Sequence, residues 1–346
     1  MKIAKFGDIA ELIQDRIAPK EDNTGNYIGL ENLPSESLLI TTWQSDVIPD
    51  SDKFLFKKGD VLFARRRAYQ KKVGVAPFDG IISTDGMVFR PKPNIYGSLL
   101  PFIVKSDYFM NYAINNSAGT MSPRVKWKDL QNCEIKIPEN ELQKKYSDLL
   151  WHLENTIILL NERLTILDQL VKSRFIEMFG HNQYEEKPLG ELFKTSSGGT
   201  PLKGKREYYE EGKIPWLTSG EVNKEHITKA KSMITELALQ ETSAKIPPLH
   251  SVLVSMYGSI GYSGILEFEA AINQAICAIH PNPDYTPEWI CHFIRSKKDE
   301  LVNQGVGAAL TNISQEKIRK LMVPLVPLSQ QKVFTDFIHQ IDKSKV

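Results

Sequence analysis

Five segments of this chain recur in the same order about 190 residues apart, and this internal repeat constrains the fold more than any other feature. "FGDIAEL" (Phe6 to Leu12) is echoed by "LGELFKT" (Leu189 to Thr195), and "YIGLENL" (Tyr27 to Leu33) by "WLTSGEV" (Trp216 to Val222). "GDVLFA" (Gly59 to Ala64) pairs with "HSVLVS" (His250 to Ser255), both alternating apolar runs of strand type. "IISTDGMVFRP" (Ile81 to Pro91) pairs with "AAINQAICAIHP" (Ala270 to Pro281). "IKIPENELQKKYSDLLWHLE" (Ile135 to Glu154) pairs with "PLVPLSQQKVFTDFIHQID" (Pro324 to Asp342). Each half therefore reads as a mixed α/β globule of about 135 residues followed by a helix entered after a proline. The 346 residues suffice for two such cores.

The first helix carries the clearest periodicity. Leu142, Tyr146, Leu149, Leu153, Thr156, Leu160, Leu164, Leu167, Val171 and Met178 follow steps of four and three, with Arg174 as one polar interruption. This predicts a coiled-coil helix from Glu139 to Met178, about 60 Å long at a rise of ~1.5 Å per residue. The second helix, from Leu328 to Val346, is expected to be half that length and to pack antiparallel through Phe334, Phe337 and Ile341. The expected architecture is α+β, with boundaries at 1–137, 138–180, 181–326 and 327–346 for domain, helix, domain and helix.

Forty-three basic and forty-two acidic residues leave a net charge of +1, so an anion-binding surface must come from local clustering. One cluster is "ARRRAYQKK", where Arg65, Arg66, Arg67, Lys71 and Lys72 follow a predicted strand; Arg65 and Arg67 are expected to share a face, with the two lysines in a loop. The matching stretch "SMYGSIGYSG" has no cation. In "GTMSPRVKWKDL", paired with "GVGAALTNISQEKI" (Gly305 to Ile318), Arg124 and Lys126 alternate with Val125 and Trp127, which places the cations outward and the apolar pair inward. A simple half-buried strand fits the same alternation. Cys133, Cys277 and Cys291 have no disulfide or zinc spacing and read as small core residues of a reducing compartment. The N-terminus lacks the apolar stretch of a signal peptide, and no run approaches the ~18 apolar residues of a membrane span, so a cytoplasmic location is expected.

"SSGGTPLKGKREYYEEGKIPWLTSGEV" (Ser196 to Val222) nearly spells a phosphate loop, but Arg206 stands where the magnesium-binding hydroxyl belongs. This stretch, with its "GGTP", Tyr208, Tyr209 and "IPWL", and the helix entry "VPLSQQKVFTDFI", resembles the specificity subunits of type I restriction-modification systems. The resemblance spans the whole chain. It implies two target recognition domains, each followed by a helix, with the helices antiparallel between them. It also implies that Lys203, Lys205 and Arg206 contact phosphates or bases, beside Tyr208 and Tyr209 as stacking surfaces. Double-stranded DNA, two methyltransferase subunits and restriction or translocase subunits are the implied partners. S-adenosylmethionine, ATP and magnesium are then expected on those subunits, with no cofactor on this chain. The implied target is bipartite and asymmetric, with half-sites about one DNA turn apart.

Motifs for catalysis are not found. "NPDY" (Asn282 to Tyr285) misses the Asn-Pro-Pro-aromatic loop of adenine methyltransferases at Asp284, and reads as a turn before a helix near Pro287. Asp60, Asp79 and Asp85 fall on separate segments without nuclease spacing, and the seven histidines show no metal spacing. A coiled-coil scaffold that binds protein is the alternative from another class, and a stand-alone methyltransferase the alternative enzyme. The family's second helix normally runs the full length of the first. Its shortness here predicts exposed Leu164, Leu167, Val171 and Phe175, and a truncated or phase-variable product that self-associates through them.

Overall fold

The computed structural model describes residues 1–18, 25–180, 183–304 and 312–345, and the chain divides into two compact units, Met1–Glu162 and Arg163–Val346. The Gly305 to Thr311 part of the predicted repeat, and Val346, lie outside the described residues.

Unit 1 is built on a four-stranded sheet with the order Ala10–Ile13, Gly86–Pro91, Val61–Ala64, Val73–Val75. "VLFA" is apolar without alternation because this central strand is covered on both faces: Phe63 packs with Phe6, Phe89 and Phe109, and Leu62 with Ile28, Phe56 and Val88. A second sheet of five strands has the order Arg16–Ile17, Lys53–Phe56, Gly80–Ser83, Gly25–Ile28, Gln44–Val47. A two-stranded ribbon of Lys2–Lys5 and Glu134–Ile137 closes the unit where the long helix begins.

Unit 2 repeats this plan. Thr195–Ser197, Ile276–Ile279, Val252–Ser255 and Ser263–Leu266 lie in the same order, extended by His226–Ile227. The parallel pairs Tyr27↔Ile81 and Ile28↔Ile82 recur as Trp216↔Ala271 and Leu217↔Ile272. Even the turn into the central strand is shared: Gly59 at φ 90° and His250 at φ 62° both take the left-handed conformation, easy for glycine and costly for histidine. Gly59 N–H donates to Ala76 O and His250 N–H to Leu266 O, each at 2.9 Å. All three cysteines are free and buried, and burial raises each thiol above its ordinary range.

The long helix spans Asn140–Phe179 and the C-terminal helix Leu328–Lys343. Both enter through a buried glutamine. Gln143 Oε1 accepts Tyr96 N–H at 2.8 Å and its Nε2 donates to Pro138 O at 3.0 Å. Gln331 Oε1 accepts Thr286 N–H at 3.0 Å, while Nε2 donates to Asp284 O at 3.0 Å and Val326 O at 2.8 Å. Pinning a helix start to a globule with an amide satisfies buried backbone groups that lie outside the helix itself.

One expectation about the helices is overturned, that of which end of the seam lies bare. Leu142, Leu149, Leu153 and Leu160 are 42%, 54%, 52% and 51% exposed, and Tyr146 is also exposed, as is Leu164, which was expected to be. Unit 1 grips an adjacent stripe. Trp151 Nε1 donates to Ser98 O at 2.9 Å, Glu154 accepts Leu38 N–H, and Leu150 packs on the core. At the other end, Val171 and Phe175 are 4% and 6% exposed, and Leu167 packs beside them, contrary to the predicted bare stripe. Within unit 2 the C-terminal helix starts beside the end of the long helix and runs antiparallel to it, so it covers the last turns first. Phe334 lies 5.3 Å from Phe175 and 5.7 Å from Phe179, Lys345 pairs with Asp168 at 2.8 Å, and Arg163 Nη2 donates to Ser344 O at 2.9 Å. Phe337 and Ile341 join the same core.

Candidate nucleic-acid interface

The strand Val61–Ala64 stops before the arginines because Arg67 adopts the left-handed conformation, φ 55°, and turns the chain into a single 3-10 turn. Arg65 and Arg67 therefore do not share a strand face, which corrects the expectation from alternation. Arg65 enters a cleft of about 260 Å³ with Lys126, Lys128, Trp127 and Gln14, and its buried Nε has no partner among the described residues. Arg67 is exposed. Lys71 is tied to Asp107 at 2.6 Å and Lys72 donates to Leu30 O at 2.8 Å, so both brace local structure.

Arg66 turns the other way and meets Arg124 across a backbone bridge. Both guanidiniums converge on one carboxylate: Arg66 Nη1 lies 3.2 Å from Asp85 Oδ2, and Arg124 Nε 2.9 Å from Asp85 Oδ1. Arg66 Nε also donates to Ser122 Oγ at 2.6 Å. Burial alone would raise the Asp85 carboxyl, but Arg124 and Arg66 hold it below the ordinary carboxylate range. Two cations on one anion leave a net positive charge, and each guanidinium keeps N–H donors beyond those it uses here. The alternation around Arg124 is as read from sequence: Val125 is buried, Trp127 packs on the core, and Arg124 and Lys126 point outward.

In unit 2 the glycine-rich stretch is not a phosphate cradle. Gly199 N–H donates to Ile272 O at 3.2 Å and Gly198 N–H to Asn273 O at 3.3 Å, so these amides are occupied by the sheet edge. The glycines are required by close approach, since a Cβ on Gly198 would stand 1.7 Å from Ile272 O. Tyr208 and Tyr209 are not free stacking surfaces either. Tyr208 is buried against Trp216 and Ile234 with its hydroxyl donating to Glu241 at 2.8 Å, and the Tyr209 hydroxyl donates to Pro201 O. Their apolar rings complete a small core, which outweighs exposure for contact. Lys205 lies over the Tyr208 ring at 4.3 Å and pairs with Glu241 at 2.7 Å; those two groups hold its ammonium above the ordinary lysine range. Arg206 faces solvent with Glu210 at 3.8 Å, and Lys203 is exposed. Of this group, Lys203 and Arg206 retain the exposure a phosphate contact needs.

A sequence profile described as the type I restriction modification DNA specificity domain matches residues 1–169 and again 181–346. This chain belongs to that family of DNA specificity domains. It is 26% identical over 170 residues to the Type I restriction enzyme EcoR124I/EcoR124II specificity subunit of Escherichia coli, a match covering 47% of this chain and 42% of that one. In that match the chain spans less than half of the relative's length. It is 22% identical to the putative type I restriction enzyme MjaX specificity subunit of Methanocaldococcus jannaschii, over 99% of this chain and 86% of the other. The crystal structure of a type I restriction-modification S subunit from M. genitalium shares the fold at a TM-score of 0.54 and 15% identity, covering 99% and 90% of the two chains.

Within this specificity-family chain, Asn282 to Tyr285 is a turn, as its sequence predicts. Asp284 N–H donates to Asn282 Oδ1 at 2.9 Å, Tyr285 is buried against Phe193 and Trp289, and a helix starts at Pro287. Asp60 is bound to Arg90 at 2.7 Å, and Asp79 accepts Lys58 N–H at 2.7 Å. Among the described residues no group of three or more His, Cys, Asp or Glu could hold a metal ion, and no helix is long and apolar enough to cross a membrane. Sequence reasoning missed the positioning role of Asp85, which lies 19 residues from Arg66 and 39 from Arg124. Its only signal was the "STDG" turn within the repeat.

Proposed function

We propose that this chain is the non-catalytic DNA-specificity subunit of a type I restriction-modification complex, with its two units reading the two parts of a bipartite, asymmetric target. Partner subunits supply catalysis: methyltransferase subunits modify adenine using S-adenosylmethionine, and translocase subunits use ATP and magnesium for cleavage. The complex works on double-stranded DNA in the cytoplasm. The observation that carries this reading is that both halves match the DNA specificity domain while differing in their exposed polar side chains. Two copies of one scaffold with different surface chemistry suit the reading of two different half-sites.

Mapping methylated adenine across the genome of cells carrying this chain with its methyltransferase, against cells lacking the chain, tests the proposal. A bipartite asymmetric motif that appears only with the chain is expected. Identical methylation in both cells, with the methyltransferase active on another specificity chain, would overturn it.

A further inference from the structure

The repeat extends to individual hydrogen bonds at the end of the central strand. In unit 1, Arg65 N–H donates to Asp85 O at 3.2 Å, and Arg65 O accepts Val125 N–H at 3.0 Å. In unit 2, Met256 N–H donates to Ala275 O at 2.8 Å, and Met256 O accepts Ile313 N–H at 3.0 Å. The next residues form matching bridges, Arg66 with Arg124 and Tyr257 with Asn312. The turn before the third participant is also shared: Asp85 N–H donates to Ser83 Oγ at 3.2 Å, and Ala275 N–H to Asn273 Oδ1 at 3.1 Å. Backbone register thus pairs Arg66 with Tyr257, Arg124 with Asn312 and Asp85 with Ala275.

The inward residues of the crossing keep their character, since Val125 and Ile313 are 0% and 3% exposed. The outward residues exchange theirs. Two guanidiniums and a carboxylate in unit 1 become a phenol, an amide and a methyl group in unit 2. Arg66 and Arg124 are 40% and 46% exposed, Tyr257 is 41% exposed, and Asn312 is exposed. A buried half that conserves shape and an exposed half that changes hydrogen-bonding pattern suit two readers of different bases, because each base edge presents its own order of donors and acceptors.

We propose that this strand-end crossing is the base-reading element of both units, with Arg66 and Arg124 aimed by Asp85 in unit 1, and Tyr257 with Asn312 in unit 2. The proposal rests on the specificity reading above and deepens it. Asp85 is a positioning residue. It engages Nη1 of Arg66 and Nε and Nη2 of Arg124, which leaves Arg66 Nη2 and Arg124 Nη1 without a protein partner among the described residues. A guanidinium fixed in this way presents a rigid fork to guanine O6 and N7. The Asn312 amide has the donor and acceptor that match adenine N7 and N6. Unit 2 therefore reads DNA from Tyr257 and Asn312, a site without any cation, and not from its lysine-rich loop.

The experiment is methylation mapping in cells that carry the chain and its methyltransferase, with wild type, Asp85→Asn and Asn312→Ala compared. Thermal unfolding of each purified chain accompanies it. Asp85→Asn is expected to raise methylation about tenfold at sites substituted in one half of the motif, as loss of 1–3 kcal/mol of discrimination implies. Asn312→Ala is expected to relax only the other half. Should Asp85→Asn unfold early, Arg124→Lys keeps the charge, loses the fork and is expected to relax the same half. Folded variants that keep the wild-type motif, or that relax both halves alike, would overturn the proposal. A folded wild-type chain that directs no motif would instead overturn the specificity reading, and this assignment with it.

Discussion

Phe334 and Tyr146 occupy the same position of the repeat, each three residues after the entry glutamine of its helix, Gln331 or Gln143, yet they are 0% and 38% exposed. Truncation to alanine should separate them sharply. Among the described residues Phe334 has three ring neighbours, Phe175 at 5.3 Å, Phe179 at 5.7 Å and His292 at 5.3 Å. Deleting a buried phenylalanine costs about 3–5 kcal/mol, and ring contacts worth about 0.5–1.5 kcal/mol each place this one at the upper end. For a unit of this size that corresponds to a Tm lower by roughly 6–20 °C. Tyr146→Ala removes an already wet ring and should cost less than about 1.5 kcal/mol. Scanning calorimetry with urea denaturation measures both. Equal losses for the two variants, or a Phe334→Ala loss below about 1.5 kcal/mol, would refute the claim that the C-terminal helix is sealed onto the last turns of the long helix.

Three further outcomes follow from buried groups. Gln331→Ala strands the Thr286 N–H and two carbonyls, and should destabilise unit 2 by about 2–4 kcal/mol in the same denaturation assay. The Glu225 carboxyl, which burial alone would raise, is lowered to about 2 by His292 and Arg295. An unfolded glutamate titrates near ~4.3, so this group's contribution, up to about 3 kcal/mol, is full above roughly pH 4.5 and fades as pH falls toward 2. Glu225→Gln should flatten that acid limb in a pH series of urea melts; an unchanged limb would show the pairing to be absent. Gly198→Ala drives a methyl into Ile272 O and should lower the melting point of unit 2, whereas Gly204→Ala, in open space, should not.

The long helix and the central strand of each unit were legible because both are written in local periodicity, whereas the order of strands in the sheets depends on pairings distant in sequence. The predicted bounds Glu139 and Met178 fall within a residue of Asn140 and Phe179, and the apolar runs of Val61–Ala64 and Val252–Ser255 announce their strands. Which face of the helix carries unit 1 was not legible, since its stripe is mostly polar and Gln143, Trp151 and Glu154 bond backbone groups distant in sequence. Composition likewise misjudged Tyr208 and Tyr209, whose hydroxyls find Glu241 and Pro201 only once the chain has folded. In the candidate interface the cations of Arg65 to Arg67 were visible, but their sorting was not. One left-handed residue, Arg67, sends the chain away from the strand, and Asp85 arrives from another strand junction to collect Arg66 and Arg124. The cation-free crossing at Tyr257 and Asn312 carries no local signal and emerges only from hydrogen-bond register.

Selection of bound sequences from a random duplex library, using the chain assembled with the methyltransferase subunits proposed as its partners, is the decisive measurement for two-unit readout. The expected result is a consensus of two unlike half-sites at a fixed separation, each altered by changes in one unit alone. Recovery of an unselected pool, or of one continuous site unaffected by changes in either unit, would contradict it.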